Sequence, residues 1–220
     1  MSKNRISGAR IIIEALKNEG VDTVFGYPGG AILPFYDALY GQKEIKHILA
    51  KHEQAASHAA EGYARSAGKV GVIIVTSGPG ATNAITGLTD AFMDSIPVIC
   101  FSGQVPSPII GTDGFQEADV TGLTRSCTKY NYLVKNTDNL GYIIHEAFHI
   151  AQTGRPGPVL IDVPKDIQNN LGIYNGLEKI DRPSYQISVK SFNKIDNSKI
   201  SNTINLLKNA KKPIIYFGGG

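Results

Sequence analysis

Cysteine, tryptophan and long apolar runs are scarce or absent in this chain of 220 residues. It has two cysteines and no tryptophan. Cys100 lies in an apolar run and Cys127 beside Thr128, without metal-site spacing, so we expect reduced core thiols rather than a disulfide. No apolar run approaches membrane-spanning length, and residues 1–5 enter a helix without the apolar core of a signal peptide. These absences favour a cytoplasmic protein, or one encoded and used within an organelle.

The chain also has only a small excess of positive over negative charge. The formal net charge is +3, and the lysines are scattered rather than clustered. This balance argues against a nucleic-acid-binding protein, and a solvated surface is the simpler interpretation. The apolar fraction of 42% and the charged fraction of 19% are typical of a globular protein long enough to bury a sizeable core.

Six short apolar runs alternate with amphipathic helices along the first three quarters of the chain. This alternation predicts an α/β fold with a doubly wound, mainly parallel six-stranded sheet. Runs such as 72–75 suit strands buried on both faces. The strands are predicted at 21–25, 45–50, 70–76, 97–102, 129–134 and 158–163.

The character of the chain changes after residue 169. Residues 170–195 are polar and poor in apolar periodicity, which indicates a linker after a domain that spans 1–169. An amphipathic helix and an apolar run at 213–217 then indicate the beginning of a second α/β domain over 196–220. One helix and one strand cannot bury a core, so we expect a truncated central domain there.

Glycine-rich loops follow three of the predicted strands, at 26–30, 76–83 and 102–106. Glycine permits positive φ and close backbone approach to a ligand, so loops at one sheet edge outline a pocket. Glu53 lies at the same edge, in the first turn of an alanine-rich helix. An acidic residue there can simply favour the helix dipole. The surrounding loops favour a binding or catalytic role instead.

Six motifs, in order, cover most of the chain: FGYPGGAILPFYDAL, KHEQAASHAAEGYAR, TSGPGATN, DSIPVICFSGQVP, GTDGFQE and GRPGPVLIDVPKDIQ. Together they resemble the N-terminal, pyrimidine-binding domain of thiamine-diphosphate enzymes, and within them the acetolactate synthase (acetohydroxyacid synthase) catalytic subunits. The resemblance implies an enzyme of branched-chain amino-acid biosynthesis that condenses two pyruvates, or pyruvate and 2-oxobutyrate, with loss of CO2. Two alternatives remain: another thiamine-diphosphate decarboxylase or carboligase of 2-oxo acids, and a non-catalytic dimerisation module.

The resemblance assigns roles to individual residues. Glu53 matches the glutamate that hydrogen-bonds the pyrimidine ring of thiamine diphosphate and promotes loss of the thiazolium proton, with Gln54 and Glu61 as local alternatives. Gly30 matches a position that leaves room for substrate, with a plain turn glycine as the alternative. Gln116 matches a residue bordering the reacting centre.

Two further roles, at four residues, also follow from the resemblance alone. Phe115 and Lys165 match the substrate channel, where an ordinary exposed lysine is the alternative for Lys165. Ser95 and Arg155 match positions that touch FAD, whose site would lie mostly beyond residue 220. Ser107 departs from the family, because it and the following proline stand where related sequences carry basic residues.

The family's other groups and partners are expected outside this chain. The TSGPGATN loop lacks the lysine of a P-loop, so we predict that it walls the pyrimidine pocket rather than binding phosphate. The resemblance places the diphosphate and its Mg²⁺ on a C-terminal domain, and no metal ligands are predicted here. It also implies a homodimer or larger homo-oligomer, to which a small regulatory subunit can bind.

Overall fold

A parallel β-sheet forms the centre of the first of two units in the computed structural model, which describes residues 5–177, 180 and 196–217. The first unit extends to Ile180. Its strands are β1 (Arg5–Ser7), β2 (Thr23–Gly26), β3 (Lys46–Leu49), β4 (Gly71–Val75), β5 (Val98–Gln104), β6 (Tyr130–Leu133), β7 (Val159–Pro164) and β8 (Leu171–Ile173). Its α-helices are α1 (Gly8–Asn18), α2 (Leu33–Leu39), α3 (Glu53–Ala67), α4 (Pro79–Met93), α5 (Val120–Thr124), α6 (Leu140–Gln152) and α7 (Lys165–Asn169).

Six of these strands pair in the order β3-β2-β4-β5-β7-β6, and every pair is parallel. The predicted doubly wound, six-stranded parallel sheet is confirmed. The chain moves from β2 outward to β3 and then crosses back to β4, so the strand order reverses between β2 and β4. Open α/β sheets form their ligand crevices at such a point, outside the carboxyl ends of the strands.

The two faces of the sheet are packed with different side chains, because successive strand residues point to opposite sides. Ile74, Phe101 and Ile161 lie on a face that we call the aliphatic face, which α1, α2 and α6 cover with large apolar side chains. Ile73 and Cys100 lie on the other face, where α3 and α4 pack mainly through alanine; we call this the small-residue face.

Local capping chemistry explains the helix boundaries on both sides of the sheet. The Ser7 hydroxyl accepts a hydrogen bond from the backbone N–H of Arg10 and begins α1. Gly68 ends α3: it adopts a left-handed conformation with φ of +66°, and its N–H donates to the carbonyl of Ala64. Both cysteines are buried and free, as predicted.

A short antiparallel pair was not apparent from the sequence. β1 pairs with β8, with Arg5 opposite Ile173 and Ser7 opposite Leu171. Three residues are too few to show a period-2 pattern, so the pair arises from tertiary contact rather than from a local signal. Residues 171–173 thus belong to the first unit, although the predicted linker begins at 170. Most of that linker, 181–195, lies outside the described residues.

The second unit contains one described helix, α8 (Asn197–Asn209), which the Asp196 carboxylate caps at its N-terminus. The strand predicted at 213–217 is wrong, because these residues do not form a strand. A strand needs a hydrogen-bonded partner, and within the described residues of this unit there is none. Residues 218–220 lie outside the described part. Among the described helices of both units, none is long and apolar enough to cross a membrane.

Candidate functional site

Glu53 is the first residue of α3, four residues beyond the end of β3. The backbone N–H of Gln54 donates to Nδ1 of His52, which caps the helix. Glu53 is only 8% exposed, and its Oε2 accepts a hydrogen bond of 3.0 Å from the side-chain amide of Asn83 on α4. The carboxylate is therefore held in one orientation at the carboxyl edge of the sheet.

Close backbone approach joins the loops on either side of the switch point. A Cβ at Gly29 would lie 2.6 Å from the side chain of Thr76, so the loop after β2 touches the loop after β4. The N–H of Ala31 donates to the Thr76 hydroxyl at 3.3 Å. A Cβ at Gly80 would lie 2.8 Å from Thr76 and 3.4 Å from Oε1 of Glu53. Gly29, Gly80 and Thr76 thus form one part of the wall beside Glu53.

The loop that follows β5 reaches the same edge. Gly78 has φ of +56°, and a Cβ there would lie 2.5 Å from the backbone oxygen of Gln116. Gln116 itself has a left-handed φ of 58°, a conformation that costs energy in a residue with a side chain and often marks functional sites. The GTDGFQE loop therefore lies directly on the TSGPGATN loop.

Glu117 holds the backbone of that loop. Its carboxylate accepts hydrogen bonds from the N–H of Gly111 and from the N–H of Gly114, the latter at 2.9 Å. These bonds favour the charged form and lower the pKa of Glu117. The Glu117 carboxylate consequently closes the turn that carries Phe115 and Gln116.

Tyr36 brings a second polar group towards Glu53. Burial raises the pKa of the Tyr36 hydroxyl, and the negative charge of Glu53 raises it further. The hydroxyl lies 3.3 Å from Nε2 of His47, whose pKa burial lowers. A Cβ at Gly26 would come within 2.7 Å of the Tyr36 oxygen, so glycine at that position admits the tyrosine.

The remaining predicted pocket residues are accessible. A Cβ at Gly30 would meet no atom within 4 Å, so the space beside it is open. Phe115 is 89% exposed. Lys165 begins α7 at the carboxyl end of β7 and borders an open groove together with Tyr36 and Tyr40. The structure thus places Gly30, Glu53, Phe115, Gln116 and Lys165 along one edge of the sheet.

Ser95 and Arg155 are brought together, but at the far end of α4. Nε of Arg155 donates to the Ser95 hydroxyl at 2.8 Å, and Nη2 donates to the carbonyls of Phe92 and Met93. Since α4 has 15 residues, its ends lie about 20 Å apart. The guanidinium closes the C-terminus of that helix, away from Glu53.

Two features of this region were missed by sequence reasoning. Asn83 on α4 is one; it ends the TSGPGATN motif, but only the packing of α3 against α4 shows that it reaches Glu53. The second is a side-chain cluster further along α3, where Nδ1 of His58 lies 3.5 Å from both Glu61 and Asp90. Glu61 is also paired with Arg65, so the cluster is a polar contact between α3 and α4.

Comparison with known proteins matches residues 6–123 to the family described as "Thiamine pyrophosphate enzyme, N-terminal TPP binding domain". The chain is 51% identical to the acetolactate synthase large subunit of Buchnera aphidicola, over 98% of its own length and 37% of that protein. It is 50% identical to the mitochondrial acetolactate synthase catalytic subunit of Saccharomyces cerevisiae, over 98% of the chain and 32% of that protein.

The large subunit of acetolactate synthase isozyme 2 of Escherichia coli is also 50% identical, over 98% of the chain and 38% of that protein. The chain spans between 32% and 38% of the length of these three relatives. The family match covers more than half of the described fold and includes Glu53, Asn83 and the loops that surround them. The chain therefore belongs to the thiamine pyrophosphate enzyme family, whose N-terminal TPP-binding domain it contains.

Proposed function

We propose that this chain is the pyrimidine-binding part of an acetolactate synthase, which condenses two pyruvates, or pyruvate and 2-oxobutyrate, with release of CO2. The observation behind the proposal is the oriented, nearly buried carboxylate of Glu53 at the switch point of the sheet. Identity of about half the residues to three acetolactate synthase subunits supports the same assignment.

The residues at this edge fit the pyrimidine ring of thiamine diphosphate. Glu53 offers a carboxylate oxygen to a ring nitrogen, while Asn83 holds the other oxygen at 3.0 Å. The glycine-built wall formed with Thr76 lets a flat ring approach the backbone. When bound, thiamine diphosphate supplies an acidic thiazolium carbon on which 2-oxo acids are decarboxylated and joined.

Glu53 has a defined task in this arrangement: to hold a proton on the pyrimidine nitrogen through Oε1, the oxygen that Asn83 does not hold, and so favour proton removal at the thiazolium carbon. Gln116 and Phe115 lie on the loop after β5, where the amide can donate to a substrate oxygen and the ring can exclude water. Lys165 at the end of β7 can attract the carboxylate of a 2-oxo acid.

The other groups of the proposed enzyme lie mostly outside this chain. Mg²⁺ and the diphosphate are assigned to a further domain. FAD is placed near Ser95 and Arg155, which the structure joins to each other at 2.8 Å. The active form is proposed to be a homodimer or higher oligomer in the cytoplasm or within an organelle, with a small regulatory subunit as a further partner. The chain alone is expected to be inactive.

The experiment is Glu53→Gln in the full-length subunit that contains this chain, with Glu61→Gln as the matched control. Both glutamates lie on α3 and both are buried, at 8% and 4% exposed. Proton exchange at the thiazolium carbon is followed by NMR with saturating thiamine diphosphate. We expect Glu53→Gln to slow exchange by about 100-fold or more, since an amide cannot hold the proton on the ring.

Glu61→Gln should leave exchange near the wild-type rate, because Glu61 is paired with Arg65. Near-normal exchange in Glu53→Gln, or collapse in Glu61→Gln, would reject the assignment of Glu53. Products from pyruvate distinguish the reaction: acetolactate supports the proposal, and acetaldehyde alone indicates a decarboxylase.

A further inference from the structure

The side-chain amide of Gln104 occupies the point where β5 ends and the loop to Phe115 and Gln116 begins. Gln104 is 2% exposed. Its Nε2 donates two hydrogen bonds, to Oδ2 of Asp162 at 2.9 Å and to the backbone oxygen of Ala118 at 3.0 Å. Its Oε1 accepts from the N–H of Val105 at 2.9 Å. Both ends of the amide are therefore used.

Asp162 anchors this amide in the sheet. It lies within β7 and is 1% exposed, opposite Ser102 of β5 and Leu133 of β6. Its strand lies between β5 and β6 in the sheet, and the Gln104 amide donates to the Asp162 side chain from β5. A side chain buried within a central strand has little freedom to move, so it also fixes the position of the groups hydrogen-bonded to it.

Ala118 is the other end of the connection. It follows Gln116 and Glu117 directly, at the point where the loop returns to the protein before α5. The loop is closed locally by Glu117 through the N–H groups of Gly111 and Gly114. Local closure sets the shape of the turn, whereas the bond from Gln104 sets its position relative to the sheet.

We propose that Gln104 and Asp162 are positioning residues, which hold the Phe115–Gln116 loop over the pyrimidine pocket by tying Ala118 to the sheet. Their importance for catalysis rests on the proposed function, whereas the tie itself does not. Gln104 acts through the backbone of the loop, and Asp162 acts through Gln104. A misplaced loop would impair substrate handling more than activation by Glu53.

The test compares three variants. Asp162→Asn keeps an oxygen that can accept from Gln104. Gln104→Met keeps the approximate shape of the side chain and removes its N–H donors, so that Asp162 and the Ala118 carbonyl each lose one hydrogen bond. The double variant Gln104→Met/Asp162→Leu also removes the Asp162 carboxyl that would otherwise stay buried without its donor. Removing both partners of a buried hydrogen bond is often nearly neutral for stability. The double variant therefore remains informative if the single Gln104 variant does not fold.

Hydrogen exchange by mass spectrometry on the 220-residue chain is the first readout. In the Gln104→Met and double variants, amides of residues 110–119 should exchange about 5- to 10-fold faster, while those of β4 should keep their rates. Asp162→Asn should resemble the wild type. Unchanged loop exchange, or equal acceleration in the loop and in β4, would overturn the proposal.

Kinetics of the full-length subunit provide the second readout. The double variant should lower kcat/KM for pyruvate by about tenfold or more, with proton exchange at the thiazolium carbon within about twofold of wild type. Loss of both together would show that Gln104 supports the whole fold rather than the loop. If the wild-type subunit made no acetolactate, the proposed function would fail, but the hydrogen-exchange result would still decide the role of Gln104 in holding the loop.

Discussion

The aliphatic face and the small-residue face of the sheet achieve burial in different ways. On the aliphatic face, fully buried side chains such as Phe35, Phe101 and Phe148 fill the space between the sheet and its helices. On the small-residue face, a Cβ at Gly87 of α4 would lie 2.1 Å from the hydroxyl of Ser57 on α3. Large side chains fill the aliphatic face, whereas the small-residue face is buried by close contact between helices.

This difference shows that one face contributes most of the stability, whereas the other positions the residues of the site. Large apolar side chains contribute most of the hydrophobic free energy, since the free energy of burial scales with area. The close approach of α3 to α4 contributes less area, but it brings Asn83 of one helix to Glu53 of the other. The pocket is therefore built from the face that buries the smaller side chains.

The largest expected effect is on the aliphatic face. Phe101→Ala should lower the free energy of unfolding by about 3–5 kcal/mol, because it removes a fully buried ring and leaves a cavity. Phe115→Ala, the same chemical change at an 89% exposed ring, should change it by no more than about 0.5 kcal/mol. Urea unfolding of both variants measures the difference. Similar losses in the two variants would contradict the assignment of the core.

The second effect concerns a titratable carboxyl group, Asp162, buried on the small-residue side. Burial raises the pKa of Asp162 to about 7, against the hydrogen bond from Gln104, which lowers it. Between its ordinary pKa of 3.8 and about 7, the folded protein keeps a proton that the unfolded chain has released. The free energy of unfolding should therefore fall as the pH rises through this window, by up to about 4 kcal/mol.

Asp162→Asn should remove this part of the pH dependence, and Asp113→Asn on the exposed loop should retain it. Urea unfolding of the wild type and both variants at several pH values between 4 and 8 gives the comparison. An Asp162→Asn profile parallel to that of the wild type would show that the buried carboxyl is ionised throughout.

The smallest effect distinguishes close approach from ordinary helix propensity. Gly87→Ala should lower the free energy of unfolding by about 1–3 kcal/mol, because its Cβ would collide with buried Ser57. Gly62→Ala on α3, whose Cβ would meet no atom within 4 Å, should raise it by about 0.5–1 kcal/mol. Thermal unfolding of the two variants should therefore shift in opposite directions; equal shifts would remove the basis for the comparison.

Much of the sheet could be predicted from the sequence because its central strands β4, β5 and β7 are buried on both faces. Runs such as 72–75 are continuous and apolar, and the structure places strands at or within two residues of every predicted boundary in the six-stranded sheet. The edge at which Glu53 lies could also be predicted, since it depends only on parallel strand direction.

The contacts of the site could not be predicted in the same way. Asn83 lies 30 residues from Glu53, and Gln104 lies 58 residues from Asp162. Hydrogen bonds over such separations depend on the crossing of helices and the register of strands, for which a single sequence contains no direct signal. The short helix α5 and the pair β1–β8 were missed for a related reason, because short elements show no clear period.

The antiparallel pair of β1 with β8 has a consequence for how the first unit is made. Nη2 of Arg5 donates to the backbone oxygen of Leu171 at 2.7 Å, across 166 positions of sequence. During synthesis the ribosome must deliver residue 173 before the register between these strands can be completed. Strand β1 therefore stays without this partner strand until residues 171–173 have been synthesised. Pairing of β1 with β8 therefore requires nearly all of the first unit to have been synthesised. A chain that ended before residue 171 would leave β1 with an unpaired strand edge, which other chains could bind.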